Sequence, residues 1–180
     1  MYYDISIDQA KRNYWFLHNL HTQNGKKIDE FIFQYGEYVT VAEDIFYNIE
    51  IQGVVPDLCF AGVNASPVVC QGIADEIRKL VNDDVQILPV NVTGCQQKFF
   101  ITNPLKIFDC IDMKNSQYME FDQPPLPKHS FIKLVIDESK VSAHIFRPKN
   151  WEIAFIVSEE IKNILDKYNM DGIVFRKVTL

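Results

Sequence analysis

AFIVSEEIKNILDKYNMDGIVFRKV, from Ala154 to Val178, reads as strand, helix, strand, and SPVVCQGIADEIRKLVNDDVQILPV, from Ser66 to Val90, aligns with it without a gap. The offset is a constant 88 residues, and Val69/Val157, Ile73/Ile161, Lys79/Lys167, Asp83/Asp171 and Val90/Val178 are identical. The apolar pattern carries more weight than these identities. In the later copy, Ala154 to Val157 is apolar and β-prone. Ser158 stands where a helix wants an oxygen cap, and Glu159 and Glu160 fall in the first turn, where the helix dipole favours acids. Ile161, Ile164, Leu165 and Tyr168 then recur at i, i+3, i+4 and i+7, the stripe of an amphipathic helix. Asp171-Gly172 predicts its stop, since glycine takes the left-handed conformation a helix end uses. Ile173, Phe175 and Val178 supply the closing strand. The earlier copy keeps the stripe as Ile73, Ile77 and Leu80 but has Cys70 at the cap position, so its helix lacks the good cap.

The flanking sequence is richer in strands. Tyr3, Ile5 and Ile7 alternate with polar residues, as in a half-buried strand. Tyr14 to Leu20 is aromatic-rich and reads equally as a short helix or an irregular cover. After the Asn24-Gly25 turn signal, FIFQYG (31–36) reads as strand, as do Asn48 to Gln52 and, after Pro56, Asp57 to Ala61. Pro89 marks a bulge or sheet edge in the strand from Val85 to Val92, which Thr93-Gly94 turns into a hairpin with Lys98 to Thr102. LKIFDCID (105–112) is extended, and Phe131 to Asp137 and Val141 to Arg147 read as further strands. DQPPLPK (122–128) reads as an exposed connector. Strands outnumber helices, which predicts an α+β fold: mostly antiparallel sheets with a few short helices, containing the duplicated strand–helix–strand unit.

Composition narrows the function classes. The chain has 180 residues, 47% hydrophobic and 23% charged, enough for one sizeable core. A net charge of −6 argues against a phosphate-backbone binder, so no nucleic-acid partner is expected. The N-terminal residues MYYDISIDQAKRNYW lack the basic-then-apolar pattern of a signal peptide, and no apolar run approaches a bilayer span. A cytoplasmic protein without a membrane partner is the expectation. Cys59, Cys70, Cys95 and Cys110 show no CxxC spacing and sit in or beside apolar runs, which predicts buried structural thiols.

Reactive constellations are sparse. His18 and His21 lie three apart without an acidic or thiol partner nearby, so no metal site is expected. Cys110 with His144 has no local signature of a thiol–imidazole pair. Asp109 and Asp112 form the densest polar cluster beside an apolar strand. Carboxylates at that spacing can serve acid–base chemistry, and they also cap turns. No glycine-rich phosphate loop, GxSxG, HExxH or Walker sequence is present. An aromatic surplus (Trp15, Phe16, Tyr35, Tyr38, Phe46, Tyr47, Tyr118, Trp151) leans instead toward binding, because Tyr and Trp make interface anchors once the core is filled.

The order of several segments adds a family resemblance. An LPV strand (88–90) is followed by FFITN (99–103), IFDCID (107–112) with Ser116, and LVID (134–137) with Lys140. IFR (145–147), IVSEEIKNIL (156–165), DG (171–172) and a closing strand complete it. This resembles the immunity protein 11 family, formerly a domain of unknown function, found with bacterial polymorphic toxins and secretion-system effectors, type VI among them. The resemblance covers roughly residues 57–178 and is weak over 1–56. It implies a single immunity-type domain over 1–180, with 1–56 divergent and 57–180 family-like, 66–90 and 154–178 being a possible two-lobe pseudo-repeat. Cys70, where the family tends to have Ser, and the Pro124–Pro127 loop are departures.

The resemblance implies an inhibitor and no catalyst: a cytoplasmic protein that binds a cognate toxin domain stoichiometrically, with no cofactor, metal or catalytic residue. Two alternatives stay open, an enzyme that reverses or prevents toxin damage and a general protein-binding adaptor. For the partner-binding surface, exposed acids and aromatics in loops suit a basic toxin cleft. Glu43, Asp44, Asp109, Asp112 and Tyr118 are the candidates.

Overall fold

Both matching stretches fold as strand, helix, strand in a computed structural model that describes residues 1–8, 10, 15–62, 66–81, 83–121 and 129–180. The earlier unit is β5 (Ser66–Cys70), α1 (Gln71–Leu80) and β6 (Val85–Val92). The later one is β12 (Ile156–Ser158), α2 (Glu159–Leu165) and β13 (Ile173–Lys177). In each, the two strands run parallel with one antiparallel strand between them. That middle strand is β7 (Phe99–Pro104) in the first unit and β1 (Tyr2–Ile7) in the second. The gapless alignment also superposes the caps. Cys70 (φ −68°, ψ 166°) and Ser158 (φ −71°, ψ 166°) are both N-caps, and only Ser158 accepts a helix N–H, that of Ile161.

Each unit builds one lobe. With β2 (Phe16–Thr22), β3 (Ile45–Ile51) and β4 (Leu58–Ala61), the first closes a six-stranded barrel in the order β2-β3-β6-β7-β5-β4. The second belongs to a five-stranded sheet, β13-β1-β12-β11-β8, with β11 at Ile145–Pro148 and β8 at Ile107–Phe108. β9 (Gln117–Glu120) and β10 (His129–Lys133) form a separate two-stranded ribbon. Most pairings are antiparallel; β2/β4, β3/β6 and β8/β11 are parallel. This is the sheet-dominated α+β architecture expected.

One apolar core runs through both lobes. Leu17, Val68 and Ile101 share one face of the barrel wall and Phe60 lies on the other. α1 packs with Ile73 and Ile77 against β5 and β7, α2 packs with Ile161 and Leu165 against β12 and β1, and Ile5, Ile145 and Val157 belong to the same core. The alternate residues Phe146 and Ile156 face a second cluster with Cys110, Ile136 and Val178. The helices meet where Tyr168 donates to Glu76 at 2.7 Å, above Gly72, whose missing side chain leaves room for the tyrosine ring. No helix among the described residues is long and apolar enough to cross a membrane.

Several local expectations change. FIFQYG is not a strand: Asp29 caps a 3-10 turn at Glu30–Gln34 by accepting from the Phe31 N–H, and Gly36 at φ +69° ends the segment. The turn packs against β7 of the barrel. Phe33 is fully buried there, and Glu30 approaches the Leu20 N–H and the Tyr47 hydroxyl at 3.4 and 3.5 Å. The undecided aromatic segment is strand from Phe16 onward. LKIFDCID pairs only at Ile107–Phe108 and through an Ile111–Ile136 bridge. The strands expected at 131–137 and 141–147 shorten to His129–Lys133 and Ile145–Pro148. α2 ends at Leu165, and Lys167 and Tyr168 form tighter i→i−3 bonds to Ile164 and Leu165. Pro89 sits at an edge, since β3 pairs with β6 only at Asn91 and Val92. Cys95 is half-buried, the other three cysteines are buried, and all four are free thiols. The proline connector lies outside the described residues.

Candidate functional site

The polar residues of the family-like segments are spent on fixing backbone. Asn103 is fully buried on β7 and donates to the Glu37 carbonyl at 2.9 Å. Asp112 accepts from the Lys114 and Asn115 amides at 3.0 and 3.1 Å and from the Asn115 side chain at 2.6 Å. These bonds, the Asn115 side chain first, hold its carboxyl below the usual range. The turn so built delivers Ser116, whose hydroxyl accepts from the Val135 N–H and donates to its carbonyl. Asp137 caps the 3-10 turn at Glu138–Lys140 through the Ser139 N–H. Arg147, with no exposed surface, donates to the Glu152 carbonyl at 2.6 Å, and burial lowers its pKa to about 10. Asp112 is therefore a turn-forming residue, half-exposed and engaged by its own turn.

Beside that frame lies a cleft of about 440 Å³. It is lined by Asp109, Ile111 and Met113, by His129 and Phe131 of β10, and by Lys149 and Asn150. The ribbon is stiffened by an aromatic cluster: Tyr118 meets His129 edge-on at 5.0 Å and Phe131 at 5.8 Å, and Phe131 meets Trp151 at 5.4 Å. Asp109 is exposed, and among the described residues neither it nor Lys149 is ion-paired. The cleft can take an apolar side chain between charges of opposite sign. Of the five candidate residues, only Asp109 lines it, and Tyr118 lies behind it against His129 and Phe131. Glu43 and Asp44 are exposed at the bend before β3, against the Asn24-Gly25 turn, where Glu43 accepts from Asn24 at 3.1 Å and the Asp44 carbonyl accepts from Gln23. They belong to the barrel lobe.

His129 and Phe131 escaped the sequence reading because a strand pattern does not say which face is left uncovered. The only signal was β10's weak apolar alternation. The aromatic surplus divides as interface logic requires. Trp15 and Tyr47 are buried, whereas Tyr35 and Tyr38 are 60% and 68% exposed.

The considered reactive groups do not assemble. Cys110 lies in the second core, where burial pushes its thiol up to about 11, far from the thiolate a nucleophile needs. His144 instead meets the Ser158 hydroxyl at 2.9 Å and Glu160 at 3.8 Å, both through Nδ1. A relay needs the two ring nitrogens to face different partners. Ser158 is moreover buried and engaged as a helix cap. His18 and His21 lie on a strand interrupted by a bulge. Among the described residues no group of three His, Cys, Asp or Glu is placed to hold a metal ion.

The frame turns its polar motif inward and leaves an aromatic cluster and a cleft outward. Residues 91–179 match the immunity protein family (Imm11), the same family the segment order resembles. The matched part begins within β6 and takes in β7 through β13, so the strong likeness is narrower than residues 57–178. No curated protein gives a significant match to the chain. The family match points to a role in toxin immunity.

Proposed function

We propose that this protein is a cytoplasmic immunity protein that binds a cognate toxin domain and neutralises it one to one. The match of residues 91–179 to the immunity protein family (Imm11) carries the reading. The geometry supports it. A stoichiometric inhibitor works by presenting exposed anchors from a frame that does not have to reorganise, which lowers the entropic cost of binding. Asn103, Ser116, Asp137 and Arg147 each tie down a loop or strand of that frame. The core shared by both lobes supports treating residues 1–180 as a single immunity-type domain.

Co-expression with the toxin domain encoded beside its gene tests the proposal. Growth is restored, and the two proteins co-purify in equal amounts. A toxin that stays lethal and unbound sinks the proposal, and protection at a small fraction of the toxin's concentration transfers it to the enzymatic alternative.

A further inference from the structure

The barrel lobe carries a second outward surface, formed by the segment from Asp29 to Asp44. Phe31, Tyr35 and Tyr38 are 46%, 60% and 68% exposed on it. Three large aromatics left in water within eight residues are not explained by the core, because Phe33 and Tyr47 already fill this end of the barrel. Tyrosine gives wide contact area with only two rotatable side-chain bonds and a hydroxyl that can stay wet, which suits an interface anchor.

The segment is held stiffly. Gln86 of β6 binds Val39 as a neighbouring strand would, accepting from its N–H at 2.9 Å and donating to its carbonyl at 2.8 Å. Asn103 holds the Glu37 carbonyl, and Gly36, at φ +69°, lies against Ile107, whose Cγ1 is 3.1 Å from where a Cβ would stand. A loop ordered before binding loses little entropy on binding.

Charge defines the partner. Residues 28–77 contain nine of the chain's 24 acids and none of its 18 Lys and Arg residues, so the rest of the chain is net positive. Asp29, Glu37, Glu43 and Asp44 are exposed among or beside the aromatics. The nearby cations are Lys26 and Lys27 at the Asn24-Gly25 turn and Lys106, next to Ile107 under Gly36. By contrast, the cleft near Asp109 sets that acid beside Lys149 and selects no charge.

We propose that the Asp29–Asp44 face, anchored on Tyr35 and Tyr38, receives the toxin domain, and that it docks on a Lys- and Arg-rich surface of that domain. This rests on the immunity reading and adds where the toxin binds and what chemistry it presents. The face lies outside the matched residues 91–179, but Asn103, one of its clamps, lies inside them.

The test measures affinity of the full chain for the catalytically disarmed toxin domain encoded beside its gene, at about 50 mM and about 500 mM salt. Wild type is expected to bind at least about tenfold more weakly at the higher salt. Tyr35→Ala and Tyr38→Ala each weaken binding about 10- to 100-fold. Glu37→Lys with Asp44→Lys weakens it by a similar factor at low salt and by less at high salt. All four side chains are exposed, and circular dichroism checks that the variants stay folded. Salt-independent binding, or tyrosine variants within about threefold of wild type, overturns the proposal while leaving the immunity reading standing. Loss of binding in Asp109→Lys alone overturns it in favour of the cleft. A wild-type protein that fails to bind this domain overturns both.

Discussion

Gln86 and Asn103 stand opposite each other on β6 and β7, and the Asn103 carboxamide donates to the Gln86 side-chain oxygen at 3.0 Å. That oxygen also accepts the Val39 N–H, while the same Asn103 nitrogen donates to the Glu37 carbonyl. Two amides on the barrel wall therefore form a small polar lattice that holds a loop with no strand partner of its own. The buried Asn103 Nδ2 meets two acceptors while its Oδ1 reaches no donor among the described residues. The hold on the loop therefore rests on that nitrogen, and an acceptor it leaves unpaired would bear its own desolvation.

Asn103→Ala should cost about 2 kcal/mol, the order expected when a buried acceptor loses its donor. Asn103→Asp, nearly the same shape, should be at least as damaging, because it sets a carboxylate against two acceptor oxygens. Urea titration reads both, and amide exchange at Val39 should accelerate in each. A protein with unchanged midpoint and unchanged Val39 exchange would show that the lattice does not hold the loop.

Arg147 binds the backbone carbonyls of Glu152, Ile153 and Ala154 over the Phe155 ring, while its Nε and Nη2 reach no acceptor among the described residues. Arg147→Ala should lose about 3 kcal/mol through unpaired carbonyls and a cavity. Arg147→Met, which fills the space and removes the incompletely paired charge, should lose distinctly less. Equal losses in the two variants would contradict this account of the site.

The paired caps make opposite predictions. Ser158→Ala removes the oxygen that accepts the Ile161 N–H and should cost about 1 kcal/mol. Cys70→Ser adds an oxygen at the corresponding position of α1 and should gain up to about 0.5–1 kcal/mol. Denaturant midpoints at unchanged slope measure both. A destabilised Cys70→Ser protein would mean that thiol packing outweighs capping.

Asp4 pairs with Ile156 on one side and Arg176 on the other, and burial raises its carboxyl to about 6 against the pull of Arg176 and Arg147. Its folded pKa thus lies above its unfolded one, and the native state binds more protons between pH 4 and 6. Stability from this group is present at pH 4 and is lost as pH rises through 6. Asp4→Asn should stabilise the protein by about 1–2 kcal/mol at pH 7.5, allowing for partial solvent access, and by little at pH 4. A variant less stable than wild type at pH 7.5 would reverse the sign.

The sequence made the helices, the hairpin after Pro89 and the strand-rich class legible, because each rests on local periodicity or on a turn residue. Barrel closure was not legible. It depends on β2 meeting β4 and β3 meeting β6, pairings between distant segments that leave no local mark. The FIFQYG segment misled for the same reason: its apolar residues suit a strand until Asp29 and Gly36 bend it into a turn. At the candidate cleft, Asp109 stood out by residue type, whereas the hydrogen bonds that Asp112 makes within its turn are visible only in space. Tyr35 and Tyr38 were marked as surplus, but their exposure came from a clamp 47 and 66 residues further along the chain.

The position of β1 has a consequence for synthesis. β1 is the middle strand between β12 and β13, so it must wait unpaired until both of those later strands have left the ribosome. The barrel has no such dependence, since every strand it needs is complete at Pro104. A nascent chain can therefore display a finished barrel while its second lobe is still an open sheet.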